Sequence, residues 1–564
     1  MEIDLTPRPE AQHLLDEKPE NLGEKRSAAA QLVDLALQRY RFGVTPEGET
    51  FGVPRTGGHV VRLLRGSRTS LRAELASIYR RVTGRIAAQQ ALADALLVLE
   101  GEAQDAEPEQ VHLRVAEHGG DLWIDLGDAA ETAVRIRGGG WQTVTEGVPV
   151  LFRRSALTGA LPEPESGDLA TLWELLNVAE PDRPLVVGWL VAALGAPGVP
   201  HPILALFGEQ GTGKSTASKL LIDLVDPSPV PLRKPPRDMD SWVTAAAGSW
   251  VVGLDNLSTV PDWLSDTLCR AATGDGDVRR QLYTDSGLAV FAFRRVLLLN
   301  GIDLGGLRGD LTERLLVVRL DAIPDGSRRT ERDLAAAWAN ARPRLLGALL
   351  GEVARMASQL PYVRLGSSPR MADFAAVLAA LDGPNGSTGL NRYLEQARSL
   401  SADSLTADPF ITAMMTTLAA KFTGQAAELL QLVTPEDRPP RGWPSTARQV
   451  TTILRRNAPA LRKLGWIVDD LGSANKTNAT TWRVNRPEIA RNPSSPTSPT
   501  SPNGVPGELA SQASHEYGQS QDDDSNTGLQ RDSLDTDGRC RLHHDEPMAG
   551  CYTCDGLATR GASS

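Results

Sequence analysis

Four cysteines in 564 residues are too few for a disulfide scaffold. No apolar run is long enough to cross a bilayer, and no cationic stretch followed by an apolar one stands at the N-terminus. A membrane span and secretion are therefore not expected, and a cytoplasmic protein is. Positive charge is in deficit: 59 Lys and Arg against 70 Asp and Glu give a net charge of −11. The chain as a whole cannot capture nucleic acid by charge, so any DNA contact must come from a local basic surface. No internal repeat of solenoid period occurs. What remains is 41% apolar residues, enough for real cores, at a length that predicts roughly three or four domains.

One stretch carries chemistry at first sight. Gly208-Glu209-Gln210-Gly211-Thr212-Gly213-Lys214-Ser215 fits G-x-x-x-x-G-K-[ST] at every fixed position. Glycines let the backbone curl so that successive N–H groups point at one anion. Lys214 is expected to reach the β- and γ-phosphates of ATP, and Ser215 to bind Mg²⁺, with Thr216 next in the chain. The context agrees. Pro202 to Phe207 reads as a buried strand entering the loop, and Ser215 to Val225 as a helix whose positive end faces the phosphates.

Further strands follow in order. Ser249 to Asn256 is apolar and ends in an acid, Asp255, the expected second Mg²⁺ residue. Val296 to Asn300 is a third apolar strand, ending in an amide that could orient the attacking water. Arg314 to Leu320 contains a fourth, preceded by Arg308-Gly309-Asp310-Leu311-Thr312-Glu313. Before the loop, Gln31 to Tyr40, Arg68 to Gly84 and Ile86 to Glu100 are helical in period. Val111 to Val115 and Leu122 to Leu126 alternate like strands, with Gly119-Gly120 as a hairpin turn.

The order of loop, acidic strand, Ala272-to-Tyr283 stretch, Asn-terminated strand and Asp310-to-Arg314 segment resembles superfamily 3 helicases. It resembles especially the helicase part of poxvirus-type phage and plasmid primase-helicases and, more narrowly, looks like the actinobacterial ATP-binding proteins of integrated mobile elements. Asp255-Asn256-Leu257-Ser258 and Leu282-Tyr283-Thr284-Asp285 carry the narrower likeness. The resemblance covers about 170 to 322, is looser from 40 to 170 and from 441 to 486, and leaves out the tail. It implies an AAA+-like αβα ATPase assembled as a ring, expected to be a hexamer. It also implies Lys214 and Ser215 as Walker A residues, Asp255 as the Walker B acid and Asn300 as sensor 1. Arg314 becomes the arginine finger, with Arg308 as fallback. Residues 274 to 283 would face the pore, where Arg279 and Arg280 could touch a DNA backbone.

The sequence departs from that pattern at Asn256, where a second acid is usual. An amide can hold a water but cannot take its proton. Glu209 and Asp262 are alternatives that one sequence does not separate. No catalytic primase is evident. Asp121 and Asp125 share a strand face, but a hairpin surface accounts for them.

Residues 441 to 486 read as a winged helix. A helix from Ser445 to Arg456 and a second from Ala458 to Leu464 precede two strands, 466–468 and 481–484, around a polar loop with Lys476. Arg448, Arg455, Arg456, Arg462 and Lys463 are its candidate phosphate contacts. A second basic stretch, Arg55, Arg62, Arg65, Arg68, Arg72, Arg80, Arg81 and Arg85, reads as a solvated surface with only Glu74 opposing it. The tail after Pro487 is Ser/Pro-rich and carries 12 acids against 5 arginines, so it should bury no core and bind no DNA by charge. It contains Cys540, His543 (or His544), Cys551 and Cys554, a C-x₂-H and C-x₂-C set suited to tetrahedral zinc. Cys269 is expected in the core.

The expected fold is α/β. Its parts are a mobile N-terminus (1–28), a mixed α/β domain (29–160), an AAA+-like P-loop core (168–322) and a helical region (323–435). A winged-helix-like domain (441–486), a disordered linker (487–535) and a zinc knuckle (536–558) follow. The leading function is an ATP- and Mg²⁺-dependent DNA translocase or helicase of a mobile element, acting on DNA that is expected to be single-stranded. The alternative is a DNA-binding nucleotide switch for regulation or defence that unwinds nothing.

Overall fold

The computed structural model describes residues 26–487, apart from 66–69, 258–259, 281–287, 293, 302–306, 308, 325, 367–368, 384–387, 407, 419–420, 441 and 473–479. For 276–280, 288–292, 401–404, 406 and 463 it describes the backbone alone. The chain divides into two units, Met1–Ile489 and Ala490–Ser564, and all described residues lie in the first. The tail with Cys540, His543, His544, Cys551 and Cys554, and the residues Arg68, Arg308 and Lys476, lie outside them. Among the described residues no helix is long and apolar enough to cross a membrane.

The N-terminal part opens with α1 (Ala28–Arg39), which Ser27 caps by accepting from the Ala30 N–H at 3.2 Å. Strands β1 (Tyr40–Val44), β2 (Thr50–Pro54) and β3 (Val60–Leu63) form an antiparallel meander, followed by α2 (Leu71–Thr83) and α3 (Gln89–Gln104). Then come β4 (Val111–His112), β5 (Val115–His118), β6 (Asp121–Asp125), β7 (Ala133–Arg137), β8 (Gly140–Val144) and β9 (Leu151–Arg153). Two sheets result, ordered β1-β2-β3-β9-β4 and β5-β6-β7-β8. The predicted hairpin is there, closing His118 against Asp121 through Gly119-Gly120. The single strand expected over 111–115 is not. It breaks into β4 and β5, in different sheets, because Arg114 turns inward. Fully buried, Arg114 donates to Asp226 Oδ1 at 2.9 Å and to the carbonyls of Asp125 and Gly159. A charge can stay buried only when paired and hydrogen-bonded on all sides, and that set of partners fixes the local path.

The central part runs through α4 (Ala170–Leu175), α5 (Arg183–Gly195), β10 (Ile203–Phe207), α6 (Lys214–Val225), β11 (Leu232–Arg233), α7 (Met239–Ala247) and β12 (Val251–Leu254). It continues through α8 (Asp262–Thr273), the antiparallel hairpin β13 (Gly276–Arg280) and β14 (Leu288–Ala292), β15 (Val296–Asn300), α9 (Gly309–Thr312) and β16 (Leu315–Arg319). Strands β11-β12-β15-β10-β16 form one parallel sheet. Parallel strands need helices on both faces, so they read as continuous apolar runs. Their side chains nonetheless alternate between two cores. Leu204 and Leu206 of β10 join a cluster with α5 and α6, whereas Ile203 and Ala205 join one with α7 and α8. The first cluster is extended by α10 (Glu331–Gln359) and α11 (Ala372–Asp382), through Leu346, Leu349 and Phe374.

After α12 (Thr388–Thr406), the chain builds a last small core from α13 (Pro409–Thr417), β17 (Lys421–Gln425), α14 (Ala426–Val433), α15 (Ala447–Lys463), β18 (Ile467–Asp470) and β19 (Thr481–Asn485). The three strands pair antiparallel in the order β17-β19-β18. Two expectations are corrected here. The unit draws Phe410, Ile411, Met414 and Leu429 into one core with Val450, Leu454 and Trp482, so it begins well before 441, and 323–435 is not wholly helical. The two helices expected around Asn457 are one, α15, with Pro459 inside it. The buried stripe Val450, Leu454, Ala458 and Leu461 keeps its helical spacing through the proline, and that packing outweighs the lost N–H.

Candidate functional site

At the carboxyl edge of the parallel sheet, β10 has β15 on one side and β16 on the other. The chain leaves β10 for β11 and β12 and returns to flank it, which makes this edge the switch point where open α/β sheets form their crevice. The glycine-rich loop lies there, between β10 and α6. Gly211 (φ 86°) and Gly213 (φ 78°) take left-handed backbone that other residues rarely adopt, and Gly213 starts the twelve-residue helix α6. Lys214 Nζ donates to the carbonyls of Gly208 and Glu209, each at 2.7 Å. Thr212 is buried, and its hydroxyl donates to the Glu209 carbonyl at 2.9 Å, closing the loop on itself. Glu209, Gln210 and Thr216 are exposed.

Three predicted residues meet beside the loop. The Ser215 hydroxyl donates to Asp255 Oδ1 at 3.2 Å. The Asn300 amide nitrogen lies 3.4 Å from that same hydroxyl and 3.4 Å from Ser218 Oγ. Asn300 is buried, and its Oδ1 accepts from the Asn256 N–H at 2.9 Å. Asn256 has a left-handed φ of 55°, which asparagine tolerates better than most residues. Gly301 makes this approach feasible: a Cβ there would stand 3.0 Å from Asn256 Cα. The ends of β12 and β15 are thereby joined. Asp262 is exposed on the first turn of α8.

Arg314 is placed differently. Its guanidinium donates to the Asp310 carbonyl at 2.9 Å and to the Asp310 carboxylate at 2.7 Å, and its side chain is 11% exposed. Arg370 shares that carboxylate at 2.7 Å and reaches Glu313 at 3.3 Å. Burial would raise the Asp310 pKa, but Arg314, Arg370 and the Cys269 thiol together hold it below the usual carboxylate range. Burial pushes the Cys269 thiol up to about 12, in keeping with its expected place in the core.

Arg279 and Arg280 end β13, opposite Ala289 and Leu288 of β14, on a hairpin between α8 and β15. In the last unit, Arg448, Arg455, Arg456 and Arg462 are exposed on α15. Arg455 pairs with Asp470 at 2.8 Å, and Arg462 donates to the Val468 carbonyl. Among the described residues no acid pairs with Arg448 or Arg456.

Two arginines of the N-terminal basic stretch are compensated by acids. Arg62 pairs with Glu74 and Glu131, and Arg65 with Glu100. Glu74 is thus not the only opposing acid, since Glu100 and Glu131 arrive from distant elements. Arg72, Arg80, Arg81 and Arg85 are exposed. Asp121 is held by Arg135 at 2.7 Å, and Asp125 by Arg154 at 2.6 Å; both carboxylates are buried, so ion pairing in the interior, not a solvated hairpin surface, accounts for them.

Two residues at the site have no sequence signal. The Asn177 side-chain amide donates to the Thr212 carbonyl at 2.9 Å and also to the Asp321 carbonyl. The Arg328 guanidinium lies over the loop, 3.1 Å from where a Gly211 Cβ would stand. Both depend on segments remote from the motif, and no local spacing announces them.

Residues 169–407 match the family model of the actinomycete integrative conjugative element replication protein, and residues 410–509 match the AICE RepA C-terminal domain. The matches assign the chain to a replication-protein family of a mobile element. Among curated proteins no relative matches. Solved structures with similarity include the apo structure of the NrS-1 C terminal region (305-718), at 11% identity and a TM-score of 0.36, covering 82% of this chain and 100% of that one. The A form apo structure of the same region has 12% identity and a TM-score of 0.34, covering 81% and 99%.

Proposed function

We propose that this chain, placed by its matches in a mobile-element replication family, is a Mg²⁺-dependent ATPase of superfamily 3 type that works on DNA. One observation carries the reading: Ser215, Asp255 and Asn300 converge within hydrogen-bond reach beside the glycine loop, at the switch point of a parallel sheet. The donor set suits the group. A hydroxyl and a carboxylate oxygen are hard ligands of the kind Mg²⁺ takes, and curled loop amides at a helix N-terminus suit polyphosphate. When bound, Mg²⁺ neutralises charge on the phosphates.

The chain's own residues do the rest. Ser215 and Asp255 hold the metal position. Lys214, resting on two loop carbonyls, supplies the cation for the β- and γ-phosphates. Asn300, fixed by Ser218 and Asn256, aims an amide at the attacking water. The strand order supports an AAA+-like core, since β15 puts Asn300 between the loop of β10 and the acid of β12. Arg314 would complete a neighbour's site in a homo-oligomeric ring, leaving Asp310 to do so.

DNA contact is assigned to two places. The hairpin of β13 and β14 hangs between the element after Asp255 and the strand ending at Asn300, so Arg279 and Arg280 sit where nucleotide state can reach them. The last unit, with helices α13 to α15 and three antiparallel strands, has winged-helix order and offers Arg448 and Arg456 for phosphates. Zinc on Cys540, His543, Cys551 and Cys554 remains part of the proposal.

A second reading is favoured by Asn256. Where a proton-accepting acid would stand there is an amide whose backbone is pinned to Asn300, which suits slow hydrolysis and a DNA-bound switch. The test is ATP hydrolysis with and without single-stranded DNA, in the wild type and in Arg279→Ala/Arg280→Ala. Loss of stimulation with basal turnover retained supports the helicase-like reading. Stimulation that survives in the double variant, but disappears on deleting 409–486, supports the switch. No hydrolysis and no nucleotide binding by the wild type would sink both.

A further inference from the structure

We propose that Arg328 is an additional nucleotide contact, supplied by the same subunit, whose guanidinium binds the terminal phosphates of the nucleotide held by the loop. This rests on the nucleotide-site reading above and adds a residue that no motif contains.

Residues 321–324 and 326–329 form a strap across the loop, fixed at both ends. At the start, the Asp321 N–H donates to the Asn177 carbonyl at 2.8 Å, and the Asp321 carbonyl accepts from the Asn177 side chain. That same side chain holds the Thr212 carbonyl, so strap and loop hang from one amide. At the far end, Thr330 caps α10, accepting from the Asp333 N–H at 3.1 Å. Between these anchors, Ile323 Cδ1 lies 3.7 Å from a Cβ position at Gly213, and Arg328 Nη2 lies 3.1 Å from one at Gly211. The strap therefore runs along the loop from its helix end toward its middle. A Cβ at 211 would crowd the guanidinium, which would have to give by a few tenths of an ångström.

Electrostatics says what the arrangement is for. Lys214, the positive end of α6 and the loop amides already converge here. A second cation beside them is unfavourable unless an anion lies among them. Among the described residues no carboxylate and no hydrogen bond holds the Arg328 guanidinium, and the residue is exposed. A planar, always-charged fork is suited to phosphate oxygens.

The test is equilibrium binding of a fluorescent ATP analogue with Mg²⁺ to the full chain. Arg328→Ala should weaken binding about tenfold, the size of a charge-assisted hydrogen bond. Arg328→Lys should recover part of that and Arg328→Gln none, and the gap between them should shrink as salt rises. Arg328 is exposed, so the melting temperature should not move. Should a variant fail to fold, the Lys-against-Gln comparison still decides. Binding by Arg328→Ala within about twofold of the wild type, or equal affinity of the Lys and Gln variants, overturns the proposal. If the wild type binds nothing, or Lys214→Ala binds like the wild type, the nucleotide-site reading itself has failed. Intact loss in Lys214→Ala with no effect at Arg328 rejects this inference alone.

Discussion

The Asn256 N–H donates to Asn300 Oδ1 at 2.9 Å, so the end of β12, where Asp255 is the proposed metal ligand, and the end of β15, where Asn300 is proposed to orient water, share one hydrogen bond. Asn300 thereby has two duties: its oxygen holds the β12 terminus, and its nitrogen faces Ser215 and Ser218.

That division gives the first prediction. Asn300→Ala should lower ATP turnover about 100-fold, as removal of one oriented polar group in an active site does, while ATP affinity changes little. Loss of the hydrogen bond from the N–H of exposed Asn256 should also cost about 0.5–1.5 kcal/mol of stability. Steady-state hydrolysis and denaturant melts check the two parts separately. Unchanged turnover would remove Asn300 from the chemistry and leave it only the strand-joining role.

Arg314 is paired with Asp310 in its own chain, yet its proposed task lies across a subunit boundary. Mixing Arg314→Ala with Lys214→Ala subunits should restore turnover, because one class of mixed interface unites an intact loop with an intact arginine. Titrating one variant into the other measures it. If no ratio exceeds the sum of the separate variants, the arginine does not act in trans.

His201 sets a pH dependence. It is buried, its Nε2 lies 3.0 Å from the Ala192 carbonyl, and its ring meets Trp250 edge-on at 5.7 Å. Burial pushes its pKa down to about 4 from the ordinary 6.5. The unfolded chain thus takes up a proton that the folded chain refuses. This contribution is complete above 6.5 and is lost as pH falls toward about 4, with a slope of up to about 1.4 kcal/mol per pH unit. Urea unfolding across that range should show the slope in the wild type and a shallower one in His201→Gln. Equal slopes would mean other groups carry the acid sensitivity.

The tail is expected to hold about one zinc per chain, on Cys540, His543, Cys551 and Cys554. Metal analysis should find it, and Cys551→Ser with Cys554→Ser should abolish it. Hydrolysis should survive the loss, since a long Ser/Pro-rich stretch separates the cluster from the core and transmits little strain. Zinc retained by the double variant would assign it to other ligands.

The loop, the apolar strands of the core, two of them with polar ends, and the Gly119-Gly120 hairpin were readable along the chain, because each is encoded in consecutive residues. A glycine pattern, an alternation and a strand-terminal acid need no knowledge of distant segments. The strap of Arg328, the Asn177 bridge, the paired acids of the N-terminal arginines and the inward turn of Arg114 toward Asp226 were not. Each joins residues far apart in sequence, and burial together with charge pairing decides them once the chain has packed. Pro459 shows the same division in one helix. Local rules end the helix there, and the buried stripe from Val450 to Leu461 carries it through, since apolar contact along a whole face outweighs one missing hydrogen bond.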